Sequence, residues 1–469
     1  MTTKTIRYFG QPLAVAIFGL MLSACTIREP SSLPRMPLPE KWGESLPSQT
    51  TASEIRNDWW QDFDSVELNR LVERALKDNP DLLISVERIR QAEIALKITG
   101  ASRLPNVGIS AGTSDSWSTP DGKATTRRES SSIGLSINYE LDLWGKIAAN
   151  VASGEASLKA TRFDYDAARL SLAASVAGIY FQSLATNERL RIARENLVLA
   201  KRILAIVEAR HKNGVATKLE VSQQNTTVLS LQAALIPLSV QIRQLHSALA
   251  LLLGQIPQGA AFAEDDLSRL KIPAIIPDMP STLITRRPDI ASAEATLASN
   301  DANVAAARAA LLPGASLSAS GGLSSALLFD LASPTRSFSL ALSLVQNIFD
   351  GGRLRLQTEN ARSQQAVQII TYAKTVRTAL KEVDDSLSNV EKTDQQEKAQ
   401  QAVLDQAASS LHLAELRYRE GVGDLLSVLE AERTVFTARD QLVTLRLARL
   451  QAAIDLCKAL GGGWDIKKS

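Results

Sequence analysis

His211, His246 and His412, Cys25 and Cys457, and the run Gly122-Lys123-Ala124-Thr125 are the groups in this 469-residue chain whose chemistry would be easiest to recognise. The histidines have no cysteine or acid at metal-ligand spacing. His211 falls at a turn and the others on helix faces, where solvated or packed rings are the rule. Gly122-Lys123-Ala124-Thr125 lacks the remainder of a phosphate-binding loop and lies between two strands. No nucleophile elbow occurs, and Cys457 sits on a helical face where packing is the natural role. These groups assemble no enzyme, metal site or cofactor site. A spacing with electrostatic content does occur at 424–433, which holds Asp424, Leu426, Glu430, Glu432 and Arg433. Leu426, Glu430 and Arg433 are four and three residues apart, so they share one helical face. A solvated helix end is the alternative for any one of these charges.

The elements that must position them are written in the hydrophobic pattern. From Ser132 to Leu141 the chain alternates strictly, with Ile133, Leu135, Ile137, Tyr139 and Leu141 opposite Ser132, Gly134, Ser136, Asn138 and Glu140. Period two with one apolar face predicts a strand. The design recurs where Phe338, Leu340, Leu342 and Leu344 oppose Ser337, Ser339, Ala341 and Ser343. Gly145-Lys146 and Gly351-Gly352-Arg353 then open helical segments, with Gly145 and Gly352 207 positions apart.

That offset runs through the chain. Asn79-Pro80-Asp81 and Arg287-Pro288-Asp289 each begin a helix, and proline costs no hydrogen bond at a first turn. Those helices end at Leu104-Pro105 and Leu312-Pro313, and Ser/Gly-rich alternating strands follow at 106–114 and 314–323. Long helices are predicted over Lys146–Asn213 and Arg353–Glu420; at 1.5 Å per residue each is roughly 100 Å long. They stop at related turns, Arg210–Ala216 and Arg417–Gly423, where Gly214 and Gly421 supply the left-handed cap. Returning helices reach Leu253-Gly254 and Leu460-Gly461. Landmarks holding one offset over so long a stretch indicate an internal duplication. Leu404, Leu411 and Tyr418 recur every seven residues with Ala407 and Ala414 between them, and Leu197, Ala200, Leu204 and Val207 repeat the pattern. Coiled-coil-like packing follows, with an ordinary amphipathic bundle as the alternative.

The first residues read as an address. Lys4 and Arg7 precede the apolar run Leu13–Leu22, the pattern of a secretory signal. Leu22-Ser23-Ala24-Cys25 resembles a bacterial lipobox, which makes Cys25 the lipidated residue; Thr26 after it points to the outer membrane. Formal charge is +2, and without Lys4 and Arg7 the chain is balanced, so no nucleic-acid footprint exists. The expected organisation is a signal peptide (1–24), a lipidated N-terminal strap (25–61), a first repeat (62–254), an equatorial connector (255–286), a second repeat (287–461) and a flexible tail (462–469).

The strands have the length needed to cross a bilayer. A spanning sheet must close, because open edges cannot be satisfied in hydrocarbon. Four strands enclose no lumen and eight leave room only for side chains, whereas three chains give twelve strands and a pore. A soluble sandwich fragment is the competing reading of the strands alone.

The chain resembles the outer membrane factor family, the TolC-like channels, and within it the NodT-type efflux lipoproteins. The resemblance rests on the lipobox, on Tyr139–Lys146, on Arg286–Ile290 with Ala293-Glu294, and on Phe349–Arg353 and Tyr418–Val422. It implies an α+β membrane protein with a long periplasmic barrel of coiled-coil helices, continuous with an outer-membrane β-barrel closed as a 12-stranded homotrimer. It also implies a tripartite efflux pump, in which a periplasmic adaptor (membrane fusion protein) and an inner-membrane RND transporter serve a passive channel. By the same resemblance Leu426, Glu430 and Arg433, with Asp424 beside them, form the constricted channel entrance. Glu430 stands where relatives commonly carry Asp. The turns, with Arg210, Gly214, Val215, Arg417, Gly421 and Val422, become the adaptor-docking tips. A type I protein-secretion exit duct and a non-pore structural tether are the alternatives.

Overall fold

The computed structural model describes residues 39–43, 55–263, 265–273 and 279–464. The signal segment, Cys25 and the tail beyond Trp464 lie outside the described residues. The chain divides into two compact units. One draws on 89–161 and 293–372; the other draws on 36–88, 162–292 and 373–469.

Both halves of the sequence follow the same order of helix, two strands, long helix and returning helix. The first half has α1 (Val66–Asp78), α2 (Pro80–Ala101), β1 (Asn106–Ser118), β2 (Thr126–Leu141), α3 (Lys146–Lys212) and α4 (Lys218–Leu252). A short α5 (Leu283–Arg286) leads to α6 (Pro288–Ala309), β3 (Gly314–Ser325), β4 (Thr335–Val345), α7 (Arg353–Arg419) and α8 (Leu425–Ala459). The long helices α3 and α7 each have 67 residues. Helix α1 is an element that the duplication did not foretell. It stops at Asn79 because a residue before proline avoids helical geometry. Asn79 then caps α2: its Oδ1 accepts from the Leu82 N–H at 3.0 Å.

In the first unit the four strands form one antiparallel sheet in the order β1-β2-β3-β4. Its register aligns the apolar sets of all four strands. Ile109 pairs with Leu135, Leu135 with Gly321 and Gly321 with Phe338. Two residues along, the row is Val107, Ile137, Ala319 and Leu340. The alternate row, Ser110, Gly134, Gly322 and Ser337, is small and polar. A slip of one residue in any strand would mix the two faces. Among the described residues nothing covers β4 on the apolar face: every residue of β4 is exposed, with Phe338 78% accessible. The strands exceed their expected lengths, because β1 and β2 continue pairing to Ser118 and Thr126, beyond the last β2–β3 pair at Ser131 and Ser325.

The strand-to-helix corners repeat as well. Asp142 accepts from the Ile147 and Ala148 N–H groups at 2.9 and 2.7 Å, and Asp350 from those of Gly352 and Leu354 at 2.9 and 3.0 Å. Carboxylates at a helix start satisfy donors that have no intrahelical partner. The Trp144 indole donates to the Pro313 carbonyl at 2.7 Å, joining the corner of one repeat to the strand entrance of the other.

The second unit contains two helical hairpins, α3/α4 and α7/α8, and a mixed core. Trp59 and Trp60 open a 3-10 turn and are buried, with the Trp59 ring edge-on to Phe63 and Phe63 5.0 Å from Phe181. The end of the expected strap is thus part of the folded body, because these rings supply core that the aromatic-poor helices lack. The Gly43 N–H also donates to Asp384 at 2.9 Å. The expected flexible tail needs a similar correction at 462–464. Gly462 is buried against Leu170 and Trp59, and the Trp464 indole donates to Asp166 at 2.9 Å.

Each returning helix meets the start of a shorter one. Asn79 Nδ2 donates to the Leu252 carbonyl at 2.9 Å, and Arg287 Nη1 donates to the Ala459 carbonyl at 3.0 Å. The approach is close enough to require glycine. A Cβ on Gly461 would stand 1.8 Å from the Arg286 carbonyl oxygen. Arg287 is buried and its charge is met by Asp289 and Glu382, both at 2.7 Å. In the connector, Asp265 accepts from the Ser65 and Tyr180 hydroxyls at 2.5 and 2.9 Å. Burial and then Asp265 push the Tyr180 phenol up, so it stays the proton donor.

Candidate channel entrance and hairpin tips

The two turns have the same construction. Gly214 and Gly421 have φ of 73° and 78°, in the region that residues with a Cβ adopt poorly. The Val215 N–H returns to the Arg210 carbonyl at 2.9 Å, and the Val422 N–H returns to that of Arg417 at 3.0 Å. These bonds satisfy carbonyls at the helix ends. Val215 and Val422 are left 64% and 70% exposed, an apolar residue at the apex of each hairpin.

The residues starting the returning helices have different duties. Thr217 and Glu220 form a reciprocal capping box on α4. Asp424 caps α8, its carboxylate accepting from the Ser427 N–H at 2.8 Å. The hydrogen bonds to Ser427 hold the Asp424 carboxyl below the usual range. This residue was expected among the entrance charges; the structure gives its carboxylate to the helix end. Leu426 is 61% exposed, and Glu430 pairs with Arg433 at 3.0 Å on an exposed face. Leu426, Glu430 and Arg433 are therefore together, as their spacing required.

Arg210, expected at a docking tip, also makes a contact between the hairpins. Its guanidinium lies over the Tyr418 ring, 4.5 Å from the centre, and Nη1 donates to the Tyr418 carbonyl at 3.1 Å. Beside it Ile203, Val207, Ala216, Tyr418, Leu425 and Val428 form one buried cluster drawn from both hairpins. Further along, Arg189 makes a two-pronged pair with Asp440 at 2.6 and 3.1 Å. Arg446 and Arg449 meet Glu397 at 3.2 and 2.8 Å. Tyr418 was visible as a heptad position and in the Tyr418–Val422 motif but not as a partner of Arg210, and Arg189 with Asp440 gave no sequence signal, since they lie 251 positions apart.

His211 Nδ1 lies 2.8 Å from the Ala216 carbonyl and His246 Nε2 lies 3.1 Å from the Ser183 hydroxyl, so both serve local packing. Among the described residues no group of histidine, cysteine and acid could hold a metal ion. Cys457 is buried, and burial pushes its thiol up, away from the reactive thiolate.

The sequence pattern of the outer membrane efflux protein family matches the chain twice, over 71–255 and 279–462. The chain belongs to the outer membrane efflux protein family. It is 40% identical to the pyoverdine export outer membrane protein OpmQ of Pseudomonas aeruginosa over 460 residues, 95% of each chain. It is 32% identical to the outer membrane protein OprJ of the same organism, covering 97% of each. The solved outer-membrane channel OprN superposes with a TM-score of 0.84 at 27% identity, over 92% of this chain and 99% of that one. An efflux protein of this family resides in the outer membrane and forms a channel. The α+β fold, with four strands per chain and long helices, is the protomer of such a channel.

Proposed function

We propose that three copies close their sheets into a 12-stranded barrel and line a periplasmic tunnel with their hairpins, as a passive conduit for small molecules leaving the periplasm. The observation that carries this reading is the sheet register. It puts Ile109, Leu135 and Phe338 on one face and Ser110, Gly134 and Ser337 on the other. An apolar outer surface suits lipid, and small polar residues suit a wet lumen. Among the described residues, edge strands β1 and β4 are paired on one side only. Closure with neighbouring copies satisfies them.

The turns around Gly214 and Gly421 are the docking tips for a periplasmic adaptor, which links the channel to an inner-membrane RND transporter that supplies the energy. Val215 and Val422 give those tips apolar contact points. Leu426 and the Glu430–Arg433 pair form the entrance constriction. The chain itself performs no catalytic step, and Cys25 carries the lipid; mass spectrometry of the mature N-terminus would show a modified cysteine. Since OpmQ is named for pyoverdine export, a pyoverdine-type siderophore is the first cargo to test. Purified full-length protein should have the mass of three chains and conduct ions in planar bilayers. Protein of single-chain mass without conductance would overturn the reading in favour of a tether.

A further inference from the structure

The second unit contains a cavity that borders the expected entrance, sharing Leu426, Glu430 and Arg433 with it, and whose other lining residues have no role above. Helices α3, α4, α7 and α8 enclose about 460 Å³ between the two hairpins. Much of its wall is apolar, with Leu199, Leu231, Leu411, Leu429, Val435 and Phe436. The volume falls within the range of pockets that take small organic ligands.

The charges around it are unevenly matched. Glu430 is neutralised by Arg433 at 3.0 Å, and Arg439 stands 3.7 Å from Glu195. Glu432, also in the wall, has no hydrogen bond or ion pair among the described residues. The charge that acts on it is that of another acid, Glu415. Burial first, and Glu415 second, push the Glu432 carboxyl from 4.5 up to about 7. A half-buried acid without a counter-ion is costly, and a cation brought into the cavity relieves that cost. Asn196 Nδ2 lines the same space, buried and without an acceptor among the described residues.

We propose that this cavity is a binding site for an amphipathic organic cation. Its protonated nitrogen pairs with Glu432, and its apolar body lies on Phe436 and the surrounding leucines. An oxygen or other acceptor on the ligand would also satisfy Asn196 Nδ2. Glu432, the lining charge without a partner, favours a cation over an anion, and a neutral apolar molecule leaves it unpaired. Because the walls come from both hairpins, an occupant binds most tightly when the hairpins are together. By linkage it then holds them there. That consequence rests on the entrance reading given above; the binding itself does not.

The test uses the full-length channel in lipid nanodiscs, with empty nanodiscs as the subtracted blank. Calorimetric titration compares phenylbutylamine with its neutral analogue phenylbutanol and its anionic analogue phenylbutanoate. Saturable binding of the amine, at least tenfold tighter than the alcohol and absent for the acid, is expected. Glu432→Gln should weaken amine binding at least tenfold, and Leu411→Trp, which narrows the cavity, should weaken it as well. Both variants are first checked for an unchanged assembly mass. Equal binding of amine and alcohol overturns the proposal, as does wild-type binding in Glu432→Gln or Leu411→Trp. Conductance is read separately, so an amine that binds without altering it supports the site and refutes the linkage to hairpin closure.

Discussion

The guanidinium of Arg210 lies 4.5 Å from the centre of the Tyr418 ring and donates to the Tyr418 carbonyl, fastening the last turn of α3 to the last turn of α7. A cation over an aromatic face contributes about 0.5–2 kcal/mol, and a hydrogen bond from a charged donor about 1.5–3 kcal/mol. Arg210→Ala should therefore cost on the order of 2 kcal/mol of hairpin attachment. The expected outcome is a higher open probability in planar bilayers with assembly intact. Arg210→Lys keeps the charge but cannot cover the ring, and should fall between the two.

Leu426 and Glu430 are one helical turn apart at the expected entrance. Leu426→Ser should wet the apolar constriction, and Glu430→Ala should strip the acidic ring and leave Arg433 unpaired. Conductance should rise in both variants, and preference for cations should fall in the second. The exposed Glu430–Arg433 pair contributes about 0–1 kcal/mol within one chain. Its effect on gating must then come from threefold repetition. Equal conductance and selectivity in the wild type, both single variants and the double variant would remove these residues from the gate.

At the second tip, Gly421 has φ of 78° and open space where a Cβ would point. Gly421→Val is thus penalised by backbone strain alone, roughly 1–2 kcal/mol. Reshaping this turn should reduce adaptor cross-linking and efflux while trimers remain in the membrane. Unchanged cross-linking and efflux would show that docking lies elsewhere.

Glu432 gives the hairpins a pH dependence. Its carboxyl titrates at about 7 in the packed state and at 4.5 when exposed. Between those values the packed state holds a proton that the separated or unfolded state releases, so stability falls as pH rises through that window. The Tm of the wild type should drop more than that of Glu432→Gln from about pH 5 to about pH 8. The charged groups around it, Glu415 on α7 and Glu430, Arg433 and Arg439 on α8, are the same in both proteins, so the difference between the two curves isolates Glu432. Parallel curves would mean that Glu432 is solvated.

The sequence by itself determined the repeated elements, because their signals are local. Alternation at Ile133–Leu141 and Phe338–Leu344 sets strands, while the glycines at 214 and 421 set the turns. The fixed offset set the duplication and with it the family resemblance. It also placed Leu426, Glu430 and Arg433 on one face, since helical spacing alone decides that. Tertiary structure decided whatever depends on which element lies opposite. Only the register shows that the apolar rows of four strands coincide, from Ile109 to Phe338. Only packing shows that the Arg210 guanidinium lies over Tyr418. The tail shows the same limit: Gly462 and Trp464 carry no periodicity, yet neighbours brought in from Trp59 and Asp166 hold them. Glu432 differs from Glu430 for this reason too. Two residues along a helix rotate a side chain by about 200°, and whether that direction holds solvent or another hairpin is fixed by contacts between residues hundreds of positions apart.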